Sequence, residues 1–326
     1  MKHASTPKAP AEIPVAGIDV GKHSLVLGFS DGEAAGDYAN DAAGRRALAE
    51  HLRRREVRRV GLESTGSYSQ PIAATLRAAG FDVTVWQPGQ VRAFAKFELR
   101  HAKNDKIDAY VIALATRMGR PQAAPDPRMA WFCEHLTAID QITEDIAREK
   151  VRLEHVHDEA LRDLHKQEIK RQTLRRRGLV TALGKAVRQH DDLRQRLELV
   201  LSIDGIGEIT ALALILRMPE LGRLSRGQAA ALLGVAPFDN ESGRYKGERS
   251  IAGGRARARR SLFAAAQAAC RQWNKALIDL YDRLRAKGHH HVYAVVACTR
   301  KLVIYANTVL ERQKPWTKNV EAKRAL

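Results

Sequence analysis

The chain has 326 residues, enough for two or three domains with buried cores, and 44% of them are hydrophobic, which excludes a disordered tail. Lys and Arg number 55 against 37 Asp and Glu, a net charge of +18, so a polyanionic partner, most often nucleic acid, is expected. No apolar run reaches the roughly 18 residues of a membrane span, so no membrane partner is expected. The leading MKHASTPKAPAEIP has no apolar signal core and reads as a short disordered lead over 1–13. Three cysteines (Cys133, Cys270, Cys298) form no CxxC pair, which disfavours a disulfide frame or a thiolate zinc site and suits a reducing cytoplasm.

In chain order, PVAGIDV (14–20) reads as a strand ending near Asp19, and SLVLGFSD as a second. EAAGDYAN fits a third strand, and 41–54 a helix. VRRVGLES (57–64) is a strand ending at Glu63; SYSQPIAATLRAAG is a helix closed by Gly80. FDVTVWQP (81–88) is a strand stopped by Pro88, and 89–118 reads as helical. Three antiparallel strands followed by alternating helix and strand predict an α/β domain over 14–125.

RPQAAPDP (120–127) is the best domain boundary. A polar helical arm follows over 126–200. Leu136, Ile139, Ile142, Ile146, Leu153 and Val156 keep a heptad-like spacing, which predicts a coiled-coil hairpin or oligomerisation arm. The arm carries a net charge of only +1, against +5 for 1–125 and +12 for 201–326, so it reads as a protein–protein element. Its local basic run, KRQTLRRRG (170–178), is either a solvated face or a phosphate contact.

A mostly α-helical C-terminal domain is expected over 201–326. Gly205-Ile206-Gly207 between two apolar runs signals a helix-hairpin-helix, whose second helix can hold a DNA phosphate on its N-terminal N–H groups. A plain helical corner is the alternative. His289, His290 and His291 are adjacent, point in different directions on a helix, and read as a turn or a backbone or RNA contact, not as a metal site.

The acids carry the chemistry. Asp19 and Glu63 end strands one and four, which commonly lie side by side in such a sheet. Asp105 and Asp108 are three apart on a helix and share a face. A helix crossing that sheet edge brings all four together. Clustered carboxylates repel unless a cation neutralises them, and hard oxygen ligands choose Mg²⁺ or Mn²⁺. Two such ions about 4 Å apart can stabilise both oxygens of a phosphodiester displacement. Singly, Asp19 could be a cap, Glu63 a surface residue and Asp105 a helix cap. The neighbouring Arg100, Lys103 and Lys106 could face the phosphate.

GIDVGKHSL, GLESTGSY and HAKNDKIDAYVIA resemble the four-acid motif of the DEDD-type insertion-sequence transposases, which include the pilin-gene invertase and the bridge-RNA-guided recombinases. LLGVAPFDNESGRYKGERSIAGGRARARRSLFAAAQ resembles that family's second block. The resemblance implies an RNase H-like fold for the N-terminal domain and Mg²⁺ on Asp19, Glu63, Asp105 and Asp108. It implies that Ser242 is the nucleophile, forming a transient phosphoserine link to DNA, with a Holliday-junction intermediate. It also implies donor and target DNA, a non-coding guide RNA, dimers assembling into tetramers, and a bacterial cytoplasmic, nucleoid-associated location. Residue type alone does not single out Ser242, since DNESG has a turn composition and a serine needs an activator. Around it, Arg244, Lys246, Arg249, Arg255, Arg257, Arg259 and Arg260 could meet a phosphate backbone, with Gly243, Gly247, Gly253 and Gly254 permitting close approach. Rival classes are an actin-like ATPase, which needs a second sheet domain, a Holliday-junction nuclease using water, and a non-catalytic DNA-binding protein.

Overall fold

A computed structural model describes residues 14–99, 104–122, 124–238, 241–242, 245–247 and 250–317, without the side chains of 34–35, 241–242 and 245–246. The chain divides into two compact units, Met1–Pro125 and Asp126–Leu326.

The first unit is a five-stranded sheet with helices. β1 (Ala16–Val20), β2 (Ser24–Phe29) and β3 (Ala34–Ala39) form an antiparallel meander. Helix α1 (Ala42–Arg54) then leads to β4 (Arg59–Glu63), and α2 (Ser69–Ala78) to β5 (Asp82–Trp86). β4 pairs parallel with β1, and β5 with β4, giving the order β3-β2-β1-β4-β5. Alternation sets the two faces. Ile18, Val20, Leu25, Leu27, Val60 and Leu62 turn one way and bury against Leu48, Leu52, Ile72 and Leu76 of α1 and α2.

The expected continuous helix over 89–118 is two helices, α3 (Pro88–Phe97) and α4 (Asp105–Met118). Pro88 both stops the strand and opens α3, where its missing N–H costs nothing. Leu99, in the left-handed region at φ +55°, follows the end of α3. Asn104 starts α4, its side chain accepting from the Ile107 N–H at 2.8 Å.

In the second unit, α5 (Arg128–His155) and α6 (Glu159–Arg188) form a helical hairpin. The chain turns at Val156, which is extended. Asp158 caps α6, and Arg162 donates to the end carbonyls of α5 at Leu153 (3.2 Å) and Val156 (2.7 Å). Glu149, almost fully buried, accepts from His165 at 2.6 Å and from Arg152. At the hairpin's base, Phe132, Leu136, Ile139, Leu183 and Val187 join one core with residues far along the chain. That core includes Leu197 of α7 (Asp191–Leu201) and Leu212 and Ile215 of α8 (Glu208–Arg217). It extends through α9 (Arg226–Leu233), α10 (Ala256–Ala268), α11 (Lys275–Ala286) and α12 (His291–Arg312), with Leu233, Leu262, Leu277 and Leu302 buried. The segments 126–200 and 201–326, expected as separate domains, therefore share one core. The lower half of the α5 apolar row is covered from within the chain. No second sheet domain of the kind an actin-like ATPase needs occurs among the described residues. No helix among them is long and apolar enough to cross a membrane.

Candidate acidic centre and nucleic-acid surface

Three glycines build the seat of the acidic centre. Gly28, Gly17 and Gly61 are register partners on β2, β1 and β4, and they form one row across the sheet. A strand-interior glycine marks close backbone approach, and α4 makes it here. A Cβ on Gly17 would lie 2.1 Å from the Ala109 carbonyl oxygen and 2.3 Å from the Ala113 nitrogen. One on Gly28 would lie 3.0 Å from the Tyr110 nitrogen, and one on Gly61 1.9 Å from Thr116 Oγ1. The helix answers with small residues, Ala109, Ala113 and Thr116, at i, i+4 and i+7. Thr116 Oγ1 donates to the Ile112 carbonyl (2.7 Å) and accepts from Trp86 Nε1 (2.9 Å), pinning the end of α4 to β5.

Strand alternation puts Asp19 two residues beyond Gly17 and Glu63 two beyond Gly61, on the α4 face of adjacent parallel strands. α4 supplies Asp105 and Asp108 in its first turn. The capping role open to Asp105 belongs to Asn104 instead. Asp19 shows the consequence. Its carboxyl is pushed up from 3.8 to about 6, first by burial, then by the charges of Asp105, Glu63 and Asp108, with the Val20 backbone hydrogen bond opposing. Among the four, Asp105 therefore acts on Asp19 more strongly than Asp108 does. Among the described residues, no three Asp, Glu, His or Cys side chains converge tightly enough to grip an ion as they stand. The donor set still fits a hard divalent cation: four carboxylates turned to one side, with burial and the other three raising the proton affinity of Asp19. Lys106 is exposed beside them; Arg100 and Lys103 lie outside the described residues.

Ser242 sits in a β-finger. β6 (Pro237–Phe238) pairs antiparallel with β9 (Ser250–Ile251), and inside that ladder β7 (Glu241–Ser242) pairs with β8 (Tyr245–Lys246). Ser242 is in register with Tyr245.

Two family models match the chain. A DEDD transposase model of IS110 elements covers residues 16–166, and a model described as transposase of the IS116/IS110/IS902 family covers 197–282. Together they span more than half of the chain. The chain belongs to the IS110-family transposases. It is thus a transposase of a mobile element, an enzyme that cuts and recombines DNA. No curated protein matches it.

The arginines after the transposase's finger are largely engaged inside the protein. Arg255 forks onto Glu220 (Nη1–Oε2 2.6 Å) and also donates to the Arg217 carbonyl. Arg257 lies 3.9 Å from Asp140, which is bridged at 2.8 Å by the nearly buried Arg217. Arg259 donates to the carbonyls of Leu233, Gly234 and Gly253, and Arg260 pairs with Glu144. Gly254 serves an internal approach too, since a Cβ there would lie 2.3 Å from the Gly234 nitrogen. The side chain of Lys246, and all of Arg244, Gly243 and Arg249, lie outside the described residues. The expectation that RARARR forms a phosphate-facing row is revised for Arg255 and Arg259, whose partners are structural. Arg255→Ala should cost about 1–2 kcal/mol of stability, seen as a lower Tm without DNA. A loss of DNA affinity at unchanged Tm would restore the phosphate reading.

The glycines of the Gly205-Ile206-Gly207 turn divide their roles. Gly205 has φ +95° and packs on the π-helical turn Ala269–Trp273, where a Cβ would lie 2.4 Å from that of Ala269. Gly207 caps α8 with open space where a side chain would be. The three histidines take three separate partners. His289 stacks on Tyr293, His290 caps α12 through the Val292 N–H, and His291 meets the Tyr281 hydroxyl at 2.8 Å. Cys270 and Cys298 are buried, and burial pushes the Cys298 thiol up to about 12, which keeps it un-ionised.

Proposed function

We propose that Asp19, Glu63, Asp105 and Asp108 hold Mg²⁺ or Mn²⁺ and that Ser242 is the nucleophile of strand transfer. The observation that supports the metal site is the α4 face of the sheet, where burial and three neighbouring acids raise the proton affinity of a fourth; the Ser242 role rests on its place in the segment matched to the transposase family. The first unit is then an RNase H-like nuclease module. Bound cations would neutralise the carboxylates and the negative charge that builds on the reacting phosphate. The Ser242 oxygen bonds to phosphorus as the bond to one deoxyribose oxygen breaks. The serine proton leaves and the departing oxygen gains one, so the phosphodiester count is conserved and the link can be reversed.

Strand exchange would pass through a Holliday junction. The charge excess of 201–326 suits donor and target DNA and a guide RNA. The upper part of the hairpin, where Val151, Leu161, Leu164 and Leu174 are exposed, suits a coiled-coil contact building dimers and tetramers. The test uses a cognate DNA end and full-length chain. Ser242→Ala should lose the covalent protein–DNA adduct and all strand exchange, and Asp19→Asn should lose both as well. Cutting that persists in Ser242→Ala without an adduct would make water the nucleophile.

A further inference from the structure

Arg176 and Arg177 of α6 reach a cleft of about 420 Å³ whose other wall is Glu208 and Ile209, the first turn of α8. Val180 and Thr181 line its floor. The basic run is thus drawn against the helix that follows the Gly205-Ile206-Gly207 turn. Arg175, Arg176 and Arg177 have no ion-pair partner among the described residues, whereas Arg171 of the same run pairs with Glu168 and Arg188 with Glu208. Glu208 is the carboxylate in the cleft, and Arg188 holds it at 2.6 Å, so the cleft stays net positive. Its walls place two guanidiniums, without an ion-pair partner among the described residues, next to Gly207, where a Cβ would meet nothing within 4 Å.

We propose that this cleft binds the sugar-phosphate backbone of duplex DNA, with Arg176 and Arg177 each contacting a phosphate. The inference rests on the reading of the chain as a DNA-handling transposase, and it adds α6 and α8 to the candidate backbone contacts of the second unit. Unpaired guanidiniums are the groups that gain most from a phosphate, since no internal ion pair must first be broken. Duplex DNA is taken as the occupant because the chain belongs to a transposase family, whose substrate is DNA, and RNA is the alternative outcome of the test. A phosphate contact of this kind carries no sequence information.

The experiment is fluorescence anisotropy of a short labelled duplex of arbitrary sequence, titrated with full-length chain in EDTA at several salt concentrations. Each phosphate contact contributes about 0.9 to the slope of log K against log salt, so the Arg176→Ala/Arg177→Ala chain should lose about 1.8 of slope. Arg176→Lys/Arg177→Lys should keep it, because an ammonium still neutralises a phosphate. Arg177→Ala alone, at an exposed position, should lose about half as much. A wild-type slope in both alanine chains overturns the proposal. So does a loss that appears with an RNA hairpin and not with the duplex. Asp19→Asn should keep the full slope while losing cleavage. If wild-type binding itself does not respond to salt, it is the DNA-handling reading that fails.

Discussion

Gly17→Ala should destabilise the first unit by about 3 kcal/mol and abolish DNA cleavage at temperatures where the chain is still folded. The added methyl would sit 2.1 Å from the Ala109 carbonyl oxygen and 2.3 Å from the Ala113 nitrogen. Both are backbone atoms of a regular helix, so they cannot rotate away, and α4 must lift off the sheet. Lifting α4 carries Asp105 and Asp108 away from Asp19 and Glu63, so activity should fall further than stability predicts. Gly89→Ala is the control: it adds the same methyl on α3, where nothing lies within 4 Å, and should melt like wild type. Gly61→Ala differs in an informative way. Its nearest obstacle is the Thr116 hydroxyl at 1.9 Å, a side chain, so Thr116→Ala should partly rescue it. No side-chain change on α4 should rescue Gly17→Ala. A Gly17→Ala chain with wild-type melting and cleavage would remove the seating of α4 as the basis of the acidic centre.

Asp19→Asn should abolish cleavage and yet raise the melting temperature of the metal-free chain at neutral pH. The sign follows from the Asp19 carboxyl, raised in the folded chain to about 6 from the ordinary 3.8. Between these values the folded state binds more protons than the unfolded one, so stability falls as pH rises from about 4 through about 6 and stays reduced above. Asp19 is partly exposed, and with solvent screening the effect is about 1–2 kcal/mol. Asparagine removes the buried charge and its repulsion by Asp105, Glu63 and Asp108. Thermal melts in EDTA across that pH range should show the variant's Tm rising relative to that of wild type as pH increases, because the other carboxylates are common to both chains and cancel in the difference. Added Mg²⁺ should reverse the order, because a cation that binds only the folded chain stabilises wild type and has lost a ligand in the variant. The metal reading is sunk if Mg²⁺ raises both melting temperatures equally.

The strands were legible because each is a short apolar run with local stops, and period-two alternation survives any tertiary context. Asp19 and Glu63 could be read as strand-end acids for the same reason, and Asp105 with Asp108 from helical spacing. The break between α3 and α4 was not legible as a break. Asn104 is a good cap, but the stretch 89–118 lacks proline after Pro88 and glycine after Gly89, so only the observed backbone at Leu99 and Asn104 ends one helix and starts the next. The glycine row has a sequence signal of its own. Gly17 precedes Asp19, and Gly61 precedes Glu63, by the same two residues, which places glycine and acid on one face.

The sequence by itself determined the element types, the charge excess of the last third and the two acids at strand ends, because these depend on local pattern and composition. Tertiary structure alone decided three matters. It seated α4 on Gly17, Gly28 and Gly61, joined the hairpin base to the C-terminal core, and paired Arg255 with Glu220 while leaving Arg176 and Arg177 without ion-pair partners among the described residues. Each depends on residues tens of positions apart meeting in space. An arginine's local sequence carries no record of whether a carboxylate from another helix reaches it first.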